Sequence, residues 1–302
     1  MTNKGVRMDT LSKASVGQPL TKFGQALFPI YLPGGITGIR AGGHLSLEIS
    51  EQGSATVNTL LVANTGSETM LIPTGTVLHG GMQNRVVNTS ILLNPGERCE
   101  VPVSCVQSGR WSGGNRFGPT STVAPRSVRR EMQHTTFTRE DGVERADQSR
   151  VWREVNTVLD SRRVGNSTND LAGLIGARDV DPRRAKIETL KANGPLPGQV
   201  GIAVMHGSRV VSIEVFASTE LLADQWAEVI QAIFDEPINP PAGRPNADAV
   251  LRQLRKLSQL DWAPVPNVGQ GRTSVVRNEK WSGRVLESDG QIVHASMFAT
   301  AA

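Results

Sequence analysis

Between Gln18 and Val106 no apolar run outlasts a single strand before a Gly, Pro or Asn turn cuts it. Such punctuation restricts the first third of the chain to short β structure. It predicts strands at Ala26–Leu32, His44–Ile49, Thr56–Ala63, Glu68–Ile72, Val86–Leu93 and Arg98–Val106, with breaks at Asn64–Gly66, Pro73–Gly75 and Asn94–Gly96. The period changes at Val151, where Trp152, Val155 and Leu159 fit one helix face. Asp181-Pro182 reads as a helix start. Val200–Met205 and Arg209–Phe216 form a hairpin, and Leu222, Trp226, Val229, Ile230 and Ile233 recur with helical spacing. A further helix covers Ala247–Leu260, and a last hairpin turns at Ser288-Asp289-Gly290. The fold class is therefore α+β: an N-terminal antiparallel β-sandwich-like region followed by an α+β C-terminal region. The expected divisions are a flexible tail at 1–15, a β-rich domain at 16–110, an Arg-rich loop or linker at 111–150 and an α+β region at 151–302.

No stretch reaches the length of a transmembrane helix, and the N-terminal residues lack the apolar core of a signal peptide. Cys99 and Cys105 fall in one predicted strand, too far apart along it for a disulfide. Unpaired thiols favour a reducing compartment, so a cytoplasmic location is expected. The His and Cys residues show no zinc-ligand spacing, and no phosphate-loop or dinucleotide fingerprint occurs. The sequence specifies neither a cofactor nor an oligomeric state.

The net charge of +4 is not spread evenly. Arg110 to Arg163 contains 11 arginines against 7 acidic residues, and the rest of the chain balances. Within it Arg126, Arg129 and Arg130 stand at i, i+3 and i+4, so one helical turn presents all three on one side. Aromatics are only 4% of the chain, thin for a base-stacking nucleic-acid binder. A nucleic-acid partner is not expected, and a protein partner docking through Arg110–Arg163 stands as the alternative to a small molecule.

Two clusters carry the candidate chemistry. The first, His79-Gly80-Gly81-Met82-Gln83-Asn84-Arg85, joins flexible backbone to amide and guanidinium groups. It reads either as a ligand loop or as a loop that hydrogen-bonds itself. The second runs from Cys99 to Trp111. Strand parity places Cys99, Val101, Val103 and Cys105 on a core face, with Ser104 on the other. Arg110-Trp111 sets a cation beside a flat ring, suited to a ring-shaped ligand or to bracing the loop. Ser104, Cys105 and His79 are the candidate catalytic groups of a hydrolase, although their spacing singles out no triad with Glu100. His44, His134, His206 and His294 stand isolated and read as structural.

Taken together, GMQNRVVNTSILLNPGERCEVPVSCVQSGRW at 81–111 and APRSVRR at 124–130 resemble the ARPP domain family. That name stands for ADP-ribosylglycohydrolase- and rhodanese/phosphatase-associated proteins. GIAVMHGSRVVSIEVFAS, with a Trp-containing helix after it, resembles the family's C-terminal half, so the likeness covers about residues 18–300. Gln107 departs from the pattern, where an acidic residue is expected. The resemblance implies association with enzymes that handle ADP-ribose and NAD-derived compounds, and transfers no mechanism.

The leading expectation is a cytoplasmic protein that binds, and in one version processes, an anionic NAD- or ADP-ribose-like ligand, a nucleotide-type small molecule. Arg85 and Arg110 would clamp phosphates, Trp111 would stack, Gln83 and Asn84 would read ribose or amide groups, and Arg126, Arg129 and Arg130 would add positive charge. The alternative is a non-enzymatic protein- or RNA-interaction module docking through the Arg-rich segment.

Overall fold

The computed structural model describes residues 6–42, 46–52, 58–138, 144–165, 167–236, 238 and 242–300. His44 and the starts of the strands expected from His44 and Thr56 lie outside them. The chain opens with α1 (Asp9–Ser12), β1 (Ser15–Val16), β2 (Leu20–Lys22) and β3 (Gln25–Tyr31). A run of strands follows: β4 (Ile39–Ala41), β5 (Leu47–Ser50), β6 (Thr59–Asn64), β7 (Thr69–Ile72), β8 (Thr76–Gly80), β9 (Arg85–Val87), β10 (Ile91–Leu93), β11 (Arg98–Cys105) and β12 (Phe117–Val123). Next come α2 (Arg126–Thr135), β13 (Phe137–Thr138), β14 (Glu144–Arg145), α3 (Gln148–Ser161), α4 (Gly173–Asp179) and α5 (Arg184–Asn193). The chain continues with β15 (Gly201–His206), β16 (Arg209–Phe216), α6 (Thr219–Asp235), α7 (Ala247–Ser258), β17 (Ala263–Val265), β18 (Arg272–Arg277), β19 (Trp281–Ser288) and β20 (Gln291–Ala299). The architecture is α+β, and no helix among the described residues is long and apolar enough to cross a membrane.

The largest sheet has nine strands in the order β1-β3-β15-β16-β20-β19-β18-β17, with β2 also on β3. It is antiparallel and draws on both ends of the chain: β3 pairs with β15 from Ile30↔Gly201 to Gln25↔His206. β3 is buried on both faces except at Tyr31, which suits a central strand covered on each side. One face packs Phe28, Met205, Ile213 and Met297 against Leu254 and Leu257 of α7. The other packs Leu27, Ile202 and Phe216 against Leu222, Val229 and Ile230 of α6. Each fully buried side chain of this size contributes roughly 1.5–3 kcal/mol.

The β-sandwich is smaller than the sheet it rests on. Six strands, β12-β8-β9-β11-β6-β5, face three, β10-β7-β4, through Val62, Val87, Val101, Ile72, Ile91 and Leu93. Its pairings are antiparallel except β4 with β7, which run parallel. The single strand expected at Val86–Leu93 is two, because the chain leaves the larger sheet at Asn88-Thr89-Ser90 and enters the smaller one.

Two stretches expected to be irregular are structured. In the tail, Met8 and Leu11 are buried with Leu257 in the α7 core, although one apolar pair is too short to show a period. The Arg-rich stretch at 111–150 carries β12, α2, β13, β14 and the start of α3. Its helical character is masked because α2 buries arginine. Val128 and Met132 face Val155 and Leu159 of α3, while Arg129 and Gln133 are buried toward the nine-stranded sheet.

There the sheet surface is polar. Arg129 grips Glu214 with both Nη atoms, and Gln133 donates to Ser296 Oγ at 2.6 Å. Glu214 Oε1 lies 3.2 Å from His294 Nε2, and His294 Nδ1 lies 2.7 Å from Ser90 Oγ. Ser90 Oγ accepts the Thr74 N–H at 3.1 Å, so its hydroxyl proton is free for Nδ1 and the Nε2 proton for Glu214. Nearby Arg284 holds Glu144 at 2.7 and 3.0 Å and Thr89 at 3.0 Å. Burial alone would raise the Glu214 carboxyl, but the Arg129 charge and the hydrogen bonds from His294 and Arg129 outweigh it, holding the group at about 2.

Removing one partner of a buried ion pair strands the other charge. Glu214→Ala or Arg129→Ala should therefore cost about 3–5 kcal/mol in urea unfolding. Breaking the exposed Arg184–Asp179 pair should cost under about 1 kcal/mol. Equal losses at the two sites would contradict a structural role for the buried pair.

Acid should weaken the fold in two stages. Burial lowers His79, His206 (to about 4) and His294 below the ordinary 6.5, so below that pH the unfolded chain takes up protons the native state refuses. Stability should then fall from about pH 6.5, by up to roughly 1.4 kcal/mol per pH unit for each histidine. Glu214, depressed from 4.5 to about 2, adds its loss between those values. Unfolding free energies that stay flat from pH 7 to 5 would contradict the histidine part.

Candidate functional site

Register brings the two sequence clusters together. β9 pairs with β11 so that Arg85 opposes Cys105, and the turn before β9 therefore meets the chain leaving β11. The Gly80-Gly81 turn passes very close to its own protein. A Cβ on Gly81, at φ +56°, would lie 2.4 Å from the Phe117 ring and 2.8 Å from Glu51 Oε1. The glycines thus serve close packing against β12.

Arg110 sits at the centre. Its Nε donates to Gln107 Oε1 at 2.7 Å, Nη1 to the carbonyls of Gly81 at 3.0 Å and Ser112 at 2.8 Å, and Nη2 to Gly80 O at 3.2 Å and Asn84 Oδ1 at 3.5 Å. All five guanidinium donors are engaged by protein oxygens. Asn84 is equally occupied: Oδ1 accepts the Gly80 N–H at 2.9 Å, and Nδ2 donates to both Asp170 oxygens at 3.0 Å. Gln83 Nε2 donates to Gln107 O at 2.9 Å. Gln107, where a carboxylate was expected, accepts from both Arg110 Nε and the Asn84 N–H through Oε1, so the amide performs that bridging.

Arg85 is different. It is wholly buried, and only Nη1 has a hydrogen-bond partner, Gln83 Oε1 at 3.0 Å. Among the described residues Nε and Nη2 have none, and Glu51 Oε2 beside them has none either. The Glu51 carboxylate lies 3.8 Å from Nη2, close enough to attract and too far to hydrogen-bond. Trp111 lies against this guanidinium at 5.6 Å, and the indole is itself 48% exposed. Burial pushes the Arg85 guanidinium below its ordinary value, with Cys105 and Glu51 opposing.

The candidate nucleophiles are not poised. Cys105 is buried as strand parity requires, its Sγ 3.1 Å from Gln107 O. Burial pushes the thiol up, against the Gln107 backbone, the Arg85 charge and Trp152. Gln148 of α3 clamps the Cys105 backbone, accepting its N–H at 2.8 Å and donating to its carbonyl at 2.7 Å. Ser104 Oγ donates to Asn88 Oδ1 at 2.9 Å, whereas His79 Nε2 lies 3.1 Å from Thr122 Oγ1, so the two serve different partners.

Three predicted cations do not join the corner. Arg126 pairs with Glu236 at 2.9 Å, Arg129 with Glu214, and Arg130 approaches Glu154 at 3.8 Å. Conversely, Glu51, Gln148 and Asp170 belong to the corner and were missed. Each comes from a distant segment, and no local pattern marks it.

No curated protein and no solved structure matches the chain. A family model does: the ARG and Rhodanese-Phosphatase-superfamily-associated Protein domain (ARPP-1) matches residues 14–298. That span contains the sandwich, α2, the corner and nearly all of the nine-stranded sheet. The chain is a member of the ARG and Rhodanese-Phosphatase-superfamily-associated Protein domain family.

Proposed function

We propose that the protein binds an anionic, nucleotide-type small molecule of the ADP-ribose or NAD class at the Arg85–Trp111 corner, in the reducing compartment that two free thiols favour. The observation that carries this reading is a buried guanidinium with two unpartnered donors directly beneath a half-exposed indole. An unsatisfied buried charge is costly, and a phosphate oxygen is a strong acceptor for it. Trp111 is the half-exposed cover over the buried Arg85, and binding there requires its ring to turn aside and stack on a base while Arg85 receives the phosphate.

Arg110, Gln83 and Asn84 then shape the corner, since their polar atoms are already engaged. The role is binding: the Cys105 thiol is raised by burial and Ser104 is held by Asn88. Docking of a partner through the Arg-rich segment has less support, because Arg126 and Arg129 are turned inward on Glu236 and Glu214.

Thermal shift and calorimetry with ADP-ribose, NAD and nicotinamide mononucleotide test this. At a ligand concentration of 100 times Kd, binding should add about 2.7 kcal/mol, or roughly 5–10 °C. Trp111→Ala, at an exposed site, should keep its unliganded melting temperature within a few degrees and weaken binding at least tenfold. No shift with any of the three at millimolar concentration, or the same affinity in Trp111→Ala, defeats the reading.

A further inference from the structure

Several arginines of the Arg-rich segment are paired by carboxylates, and a further group of unpaired positive charges collects elsewhere. Arg126, Arg129 and Arg162 pair with Glu236, Glu214 and Asp181 from the C-terminal half, and Arg150 pairs with Glu131 within the segment. By contrast Arg209, Arg252, Lys256 and Lys280 line one cleft of about 340 Å³. Among the described residues none of these cations is in an ion pair, and the cleft contains one carboxylate, Glu279.

The cleft is assembled on rigid elements. Arg252 and Lys256 stand at i and i+4 on α7, whose Val250, Leu254 and Leu257 are fully buried in the core beneath. Arg209 opens β16. Lys280 precedes β19 in a turn fixed by Asn278, whose Oδ1 accepts the N–H groups of Lys280 at 2.9 Å and Trp281 at 2.8 Å. The Lys280 carbonyl in turn accepts the Thr300 N–H at 3.0 Å. Ser208 and Gln253 add neutral donors, and the mostly buried Trp281 forms part of the wall.

We propose that this cleft is a second anion site, for a small molecule bearing a diphosphate or several clustered phosphate groups. Four like charges around one concavity repel one another unless a multiply charged anion lies among them. The volume is at the small end of ligand pockets, matching a diphosphate or a mononucleotide. The charge is confined to a cleft instead of running along a face, which favours a compact ligand over a nucleic-acid backbone. The site lies on the α7 side of the nine-stranded sheet, whereas the sandwich and its Arg85–Trp111 corner meet the opposite side through Ser90 and Thr89. It therefore stands independently of the corner.

Inorganic pyrophosphate is the probe, titrated by calorimetry at low and at physiological salt. Submillimolar binding that weakens with salt is expected. Arg252→Gln/Lys256→Gln, on an exposed helix face, should weaken it at least tenfold with the unliganded melting temperature unchanged. Glu279→Gln should tighten it several-fold, and Trp111→Ala should leave it unaltered, which separates this site from the corner. The proposal is overturned by absent binding at millimolar pyrophosphate, or by equal affinity in the double variant. It is also overturned if a short single-stranded RNA binds at micromolar concentration while pyrophosphate does not.

Discussion

The ion pair between Arg129 and Glu214 is the contact on which the assembly of this molecule depends. It ties α2 to the middle of the nine-stranded sheet, and His294 and Ser90 extend it into the sandwich. A buried pair stabilises little compared with apolar packing of equal volume, because desolvation offsets most of the attraction. Its value here is positional: a misplaced α2 would bury two charges with no partners. The neighbouring Arg284–Glu144–Thr89 and Gln133–Ser296 contacts impose the same requirement, so the sandwich has one allowed seat on the sheet.

That arrangement explains why part of the positive charge concentrated in the sequence is turned away from the surface. Arg126, Arg129 and Arg162 act as an interior adhesive, consuming carboxylates from the C-terminal half, while Arg116, Arg153 and Arg163 stay exposed. The corner uses Arg110 in a similar way, against backbone carbonyls. Arg85 departs from the pattern in having two donor atoms unpartnered among the described residues, Nε and Nη2, where Arg126, Arg129 and Arg284 each have Nε alone.

Local pattern made much of the fold legible. The hairpin at Gly207, the last hairpin at Asp289-Gly290, α6 and α7 all follow from turn residues and apolar spacing within one window. The meeting of QNR with GRW was legible only as a family resemblance; its cause is the Arg85↔Cys105 register, which spans twenty residues. The rest failed for identifiable reasons. Partly buried Arg126 and buried Arg129 look identical to surface charge until their carboxylates, some 85 to 110 residues away, are placed. Asn88-Thr89-Ser90 sits between two apolar runs and reads as strand, yet its side chains go to Ser104, Arg284 and His294. Glu51 and Asp170 reach the corner from loops with no motif of their own.

The pairing of β3 with β15 has a consequence for biosynthesis. β3 leaves the ribosome well ahead of its partner, which follows about 170 residues later, at ordinary elongation rates roughly 10–35 s. Throughout that interval an apolar strand built for a central position has an open edge. The sandwich can close meanwhile, since its strands are contiguous, but the sheet beneath it cannot. Until its second half arrives, the nascent chain is a half-sheet with one unpaired apolar edge.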